Sequence, residues 1–81
     1  MNFRHRRSRV VRAMQAARVP AMLVSNPVNV EYLTGFQSSN GYLVLAPGAS
    51  TLITDFRYET AAYAIAAAQH LEVIISNDGI G

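Results

Sequence analysis

The chain has 81 residues, no cysteine and a formal charge of +2, with 51% apolar and 15% charged residues. That length makes it one domain or part of one, burying only about 60 to 65% of its unfolded surface, too little for a large enclosed active site. Without cysteine there is no disulfide framework and no thiolate metal site; the apolar balance excludes a disordered tail, and no apolar run approaches the roughly 20 residues needed to span a bilayer.

All seven cationic side chains are arginine, and six of them fall within residues 4–18. No apolar h-region follows them, so a secretory signal is not expected and the chain reads as cytoplasmic. Phe3, Val10, Met14 and Ala17 recur at separations of seven, four and three, with Ala13 alongside. This is the stripe of an amphipathic helix whose other faces carry the arginines as a solvated surface. Such a cluster can attract phosphate backbone, but the aromatics or motif that accompany a nucleic-acid site are missing, so nucleic acid is not an expected partner.

Pro20 closes this segment, and the continuous apolar run 21–24 predicts an interior strand covered on both faces. Asn26 is placed to cap a helix, Pro27 suits its first position and Gly35 its left-handed end, with Val30 and Leu33 inward and Tyr32 beside them. Phe36 is expected to fold back over that helix end, before a polar loop at 37–41. Runs 42–46 and 50–54 predict a hairpin across Pro47, Gly48 and Ala49. Asp55 is a candidate N-cap for an alanine-rich helix with Glu59 in its first turn and Tyr58, Ala62 and Ile65 inward. A last strand is expected at 71–75 and a turn at Asn77, Asp78 and Gly79. These elements predict an α/β fold with a mixed sheet and helices on both faces, in a single domain spanning 1–81.

Chemistry is sparse. His5 and His70 lie at opposite ends of the sequence, and Glu31, Asp55, Glu59, Glu72 and Asp78 are scattered, so neither a metal site nor a catalytic group is expected in this chain. None of the serines sits in a G-x-S-x-G elbow. The loop 38–41 offers backbone amides but lacks the lysine and spacing of a phosphate loop. His70 reads as the C-terminal residue of its helix. Arg57 reads either as a surface partner of Glu59 or another acid, or as a bidentate carboxylate ligand.

Three motifs occur in order: N-P-V-N-V-E-Y-L-T-G-F at 26–36, S-S-N-G-Y-L-V-L at 38–45 and L-I-T-D-F-R-Y-E-T-A at 52–61. Together they resemble the N-terminal domain of the creatinase/prolidase superfamily, whose best-known members are Xaa-Pro aminopeptidases and Xaa-Pro dipeptidases. The resemblance implies a ribonuclease-H-like, three-layer α/β/α domain with a mixed sheet, of which this chain would hold about the first two thirds. It also implies that catalysis belongs to a separate C-terminal domain, where carboxylates and a histidine hold a pair of divalent metals (Mn, Co or Zn). The N-terminal domain would then gate the cleft against all but short proline-containing peptides and mediate contact in a homodimer or higher oligomer. By the same resemblance Asn29, Tyr32, Phe36, Asn40, Asp55, Arg57 and Tyr58 are expected at the edge facing substrate or partner. Phe56 departs from the small residue often found there. The alternative is a stand-alone regulatory or protein-interaction domain of the same fold without peptidase activity.

Overall fold

The Asn2 side chain accepts the backbone N–H of His5 at 3.0 Å and so starts α1 (Phe3–Ala16). In the computed structural model, which describes residues 2–76, the helix ends where Arg18 turns into the left-handed region at φ 61°. Val19 N–H then reaches back to Met14 O at 2.8 Å, recovering a carbonyl that the helix leaves unpaired. β1 (Met22–Val24) follows, and then α2 (Pro27–Thr34). The Asn26 carbonyl oxygen Oδ1 caps α2 by accepting from Val28 N (2.9 Å) and Asn29 N (3.3 Å). Gly35 stops it at φ 78°, where a Cβ would lie 2.9 Å from the Phe3 ring; the left-handed stop is also the point where α1 lies against α2.

β2 (Gly41–Leu45) and β3 (Thr51–Thr54) form the expected hairpin. Asp55 caps a 3-10 turn (Phe56–Tyr58) that leads directly into α3 (Glu59–Gln69). His70 ends α3 in the left-handed region, and β4 (Glu72–Ile75) completes a sheet of order β1-β2-β3-β4. The first two pairings are antiparallel and the last is parallel, so the sheet is mixed. Among the described residues no helix is long and apolar enough to cross a membrane.

Strand alternation decides what the sheet buries. Val24, Leu43, Leu45, Leu52 and Thr54 face the helices and are buried, packing with Met14, Val30, Leu33 and the small Ala62 and Ala66 of α3. Side chains one residue out of phase, Leu23, Tyr42, Val44, Ile53 and Ile74, share the opposite face and are exposed or half-buried. The described residues therefore supply the sheet and one helical layer, and the helices expected on both faces all lie on one. β1 is correspondingly an edge strand, with Leu23 61% exposed, rather than an interior one. A continuous apolar run looks the same whether one or both of its faces are covered, and pattern alone does not separate the two cases.

The arginines also divide. Arg7 occupies the apolar stripe of α1 between Phe3 and Val10 and is only 7% exposed. Its Nη1 donates to Leu33 O (2.9 Å) and Gln69 Oε1 (2.5 Å), and its Nη2 to Gln69 O (3.3 Å). Gln69 Nε2 in turn donates to Thr34 O at 2.7 Å. One buried guanidinium thus joins α1 to the carbonyl ends of α2 and α3, where a positive charge is favoured by both helix dipoles. The expected Asn77–Gly79 turn lies outside the described residues.

Candidate functional site

Where β3 gives way to the 3-10 turn, one carboxylate organises four donors. Asp55 Oδ1 accepts from the Arg57 backbone N–H and from Arg57 Nε, both at 2.9 Å. Its Oδ2 accepts from Arg57 Nη2 and from Asn40 Nδ2, both at 2.7 Å. Asn40 precedes β2, and its carbonyl accepts from Thr54 Oγ1 at 2.5 Å, so the corner is locked to the Gly41–Thr54 end of the hairpin. The fold delivers these side chains through register: Gly41 opposes Thr54, which sets Asn40 beside Asp55.

Tyr58 forms the second wall. Its hydroxyl lies 2.8 Å from Ser39 Oγ and accepts the Ser39 N–H at 3.3 Å, and its ring meets Phe36 edge-on at 6.0 Å between centroids. Gly41 closes the floor: a Cβ there would stand 2.6 Å from Ser38 Oγ and 3.1 Å from the Phe36 ring.

The electrostatics follow from these contacts. Hydrogen bonds from the side chains of Arg57 and then Asn40 hold the Asp55 carboxyl well below the usual carboxylate range. Asp55 in turn raises Arg57, and the Ser39 hydroxyl and amide lower Tyr58. The pair is unequal in exposure, 9% for the Asp55 side chain and 57% for Arg57. One edge of the guanidinium is therefore anchored, while Nη1 and the remaining Nη2–H are directed away from Asp55 for a further acceptor. Such a cation, prepaid in orientation, suits a carboxylate or a peptide carbonyl. Among the described residues no cluster of three or more His, Asp or Glu is placed to hold a metal ion.

Of the seven residues expected at this edge, Asn40, Asp55, Arg57 and Tyr58 come together. Phe36 does not belong to a surface: it is 1% exposed and supports Tyr58 from the core. Tyr32 lies toward α1, with the Arg6 guanidinium 4.2 Å above its ring, and Asn29 is exposed on α2. Neither shares a hydrogen bond or ring contact with the corner. Arg57 pairs with Asp55 rather than Glu59. Ser39 was missed; its signal was the polar loop before β2, whose length does not say which serine reaches Tyr58.

Residues 6–79 match the model of the creatinase/prolidase N-terminal domain. The chain belongs to that family. This creatinase/prolidase N-terminal domain is 39% identical to the N-terminal domain of the cytoplasmic peptidase PepQ from Mycobacterium tuberculosis H37Rv, with a TM-score of 0.81 over 89% of this chain and 55% of that one. An Xaa-Pro aminopeptidase structure from Streptococcus pyogenes is 30% identical, with a TM-score of 0.74 over 91% of this chain and 57% of that one. Over 40 residues the chain is 42% identical to the uncharacterized peptidase YqhT of Bacillus subtilis (strain 168), covering 49% of this chain and 11% of that protein. The chain thus spans less than two thirds of each of these proteins. Both the mixed sheet and the family expected from the three motifs agree with these matches.

Proposed function

We propose that this domain is the non-catalytic N-terminal part of a metal-dependent Xaa-Pro aminopeptidase or dipeptidase, where it gates the cleft of a separate catalytic domain and contributes to subunit contact. The observation that carries this reading is the Asp55–Arg57 clamp, which fixes one edge of a guanidinium and directs the other away from the fold. That edge is suited to the C-terminal carboxylate or a carbonyl of a short proline-containing peptide, or to an acidic group of the adjoining domain. Asn40 holds the carboxylate of the clamp by a hydrogen bond, and the Tyr58 ring lies 5.3 Å from the Arg57 guanidinium. A divalent metal pair, bound by the catalytic domain, would supply the activated water. The parent is read as a cytoplasmic homodimer or larger oligomer.

Two measurements test this. Purified chain with added manganese, cobalt or zinc is expected to hydrolyse no Xaa-Pro peptide; turnover above a chelated control would contradict the non-catalytic assignment. Removing the domain from the full-length enzyme should relax the limit on peptide length, and an unchanged length profile would remove the gating role.

A further inference from the structure

At the opposite end of the sheet from the Asp55 corner, α1, the β2–β3 turn and the end of α3 enclose a groove of about 370 Å³. Four residues of β3, roughly 13 Å of strand, separate the two places. Arg4, Arg7, Arg12 and His70 line the groove with the hydroxyl residues Ser8 and Ser50, and no carboxylate is among its lining residues. Arg4 and Arg12 make no ion pair among the described residues.

Arg7 makes this more than a solvated basic face. Three of its five N–H groups bind Leu33 O, Gln69 Oε1 and Gln69 O. Its Nε–H has no partner among the described residues. Among the described residues no unpartnered polar side-chain atom of a non-exposed residue is closed off from solvent, so this N–H opens outward although the residue is only 7% exposed. Packing has therefore fixed a charge in place, with Nε–H and one Nη2–H left over, where among the described residues no carboxylate pairs with it. Burial and the nearby Arg4 both act against the charged form of Arg7. The helix-end carbonyls offset part of the cost of burying this cation, and an anion in the groove offsets more of it.

We propose that this groove is a binding site for the phosphate group of a small phosphorylated molecule, seated against Arg7 Nε–H and between Arg4 and Arg12. Three acceptor oxygens and up to two negative charges on a phosphate answer the several donors and the surplus of cations better than a single carboxylate does. Rigidity is supplied by Arg7, whose other nitrogens are held by two helix ends. Adaptability comes from the exposed Arg4 and Arg12, and the Ser8 and Ser50 hydroxyls add neutral donors.

The test is a titration of the 81-residue chain with inorganic phosphate, and separately with pyrophosphate, read by the arginine Nε–H resonances and by the backbone amides of Ser8, Ser50 and His70. Sodium chloride at matched ionic strength is the reference. Saturable shifts at Arg7 Nε–H and at those amides, with phosphate weakened about fivefold or more in Arg4→Ala and in Arg12→Ala, are expected. Both substituted residues are exposed, and unchanged circular dichroism establishes that the variants remain folded. Shifts that chloride reproduces, or that survive in the double variant, would overturn the proposal. So would a single-stranded oligonucleotide that binds through Arg9 and Arg18 as strongly as through the groove, since that pattern is a diffuse basic face reading phosphate backbone.

Discussion

Arg57 and Asp55, two residues apart, meet through both prongs of a fork: Nε to Oδ1 at 2.9 Å and Nη2 to Oδ2 at 2.7 Å. The same carboxylate caps the turn that begins α3 and takes a bond from Asn40 at 2.7 Å, so one residue sets strand end, helix start and cation together. Removing Arg57 consequently disturbs a nearly buried acid, and a variant at this position is not expected to be neutral for stability.

Acid should loosen this corner first. The Asp55 carboxyl is lower in the folded chain than its ordinary value of about 3.9, so the unfolded chain binds the proton more readily. Its stabilising contribution is complete above that ordinary value and is lost progressively as the pH falls below it. Asp55→Asn keeps a capping oxygen but not the charge. Urea midpoints measured from pH 7 to pH 2 should fall more steeply in acid for the native chain than for Asp55→Asn; parallel curves would contradict the assignment.

Arg7 should behave as a core residue although it is charged. Arg7→Ala removes three bonds to helix-end carbonyls and the Gln69 amide, and a loss on the order of 3 kcal/mol is expected from charged hydrogen bonds of this kind. Arg9→Ala, on an exposed position of the same helix, should stay within about 0.5 kcal/mol. Equal denaturation midpoints for the two variants would show that burial of Arg7 contributes nothing.

Gly41→Ala should open the corner from beneath, because the new methyl meets Ser38 Oγ and the Phe36 ring within 3.1 Å. A cost of about 1 to 3 kcal/mol is expected for such overpacking. The check is thermal unfolding together with the Tyr58 ring signals, which should shift with the displaced Phe36. Unchanged stability and signals would mean that the floor yields freely.

Leu23, Tyr42, Val44, Ile53 and Ile74 leave one sheet face apolar and open, beside the exposed edge of β1. Self-association of the chain is expected through this surface. Sedimentation velocity should show concentration-dependent species that Leu23→Lys with Ile74→Glu converts to monomer. A native chain that is monomeric at every concentration would contradict this.

Much of this fold was legible because local chemistry and tertiary structure agree. Asn26, Pro27 and Gly35 mark both ends of α2, and Pro47 to Ala49 mark the hairpin, through backbone preferences that need no distant partner. Arg7 was hidden because a stripe interrupted for the six residues between Phe3 and Val10 admits a charged residue only if distant carbonyls meet it, and those belong to Leu33 and Gln69. The openness of β1 and of one sheet face was hidden for a similar reason: burial depends on what packs from elsewhere. At the corner, the motif marked Asn40, Asp55, Arg57 and Tyr58, but it did not separate them from Phe36, whose ring turns inward.

The most direct test is steady-state kinetics of the proposed parent Xaa-Pro peptidase carrying Arg57→Ala or Arg57→Lys, with short Xaa-Pro peptides and with metal content verified. Lysine keeps the charge but loses the fork, so both variants should retain their metal. They should lose about tenfold or more in kcat/KM, with Lys intermediate, as expected when an oriented contact to substrate or cleft is removed. Kinetic constants unchanged in both variants would contradict the placement of this corner at the cleft.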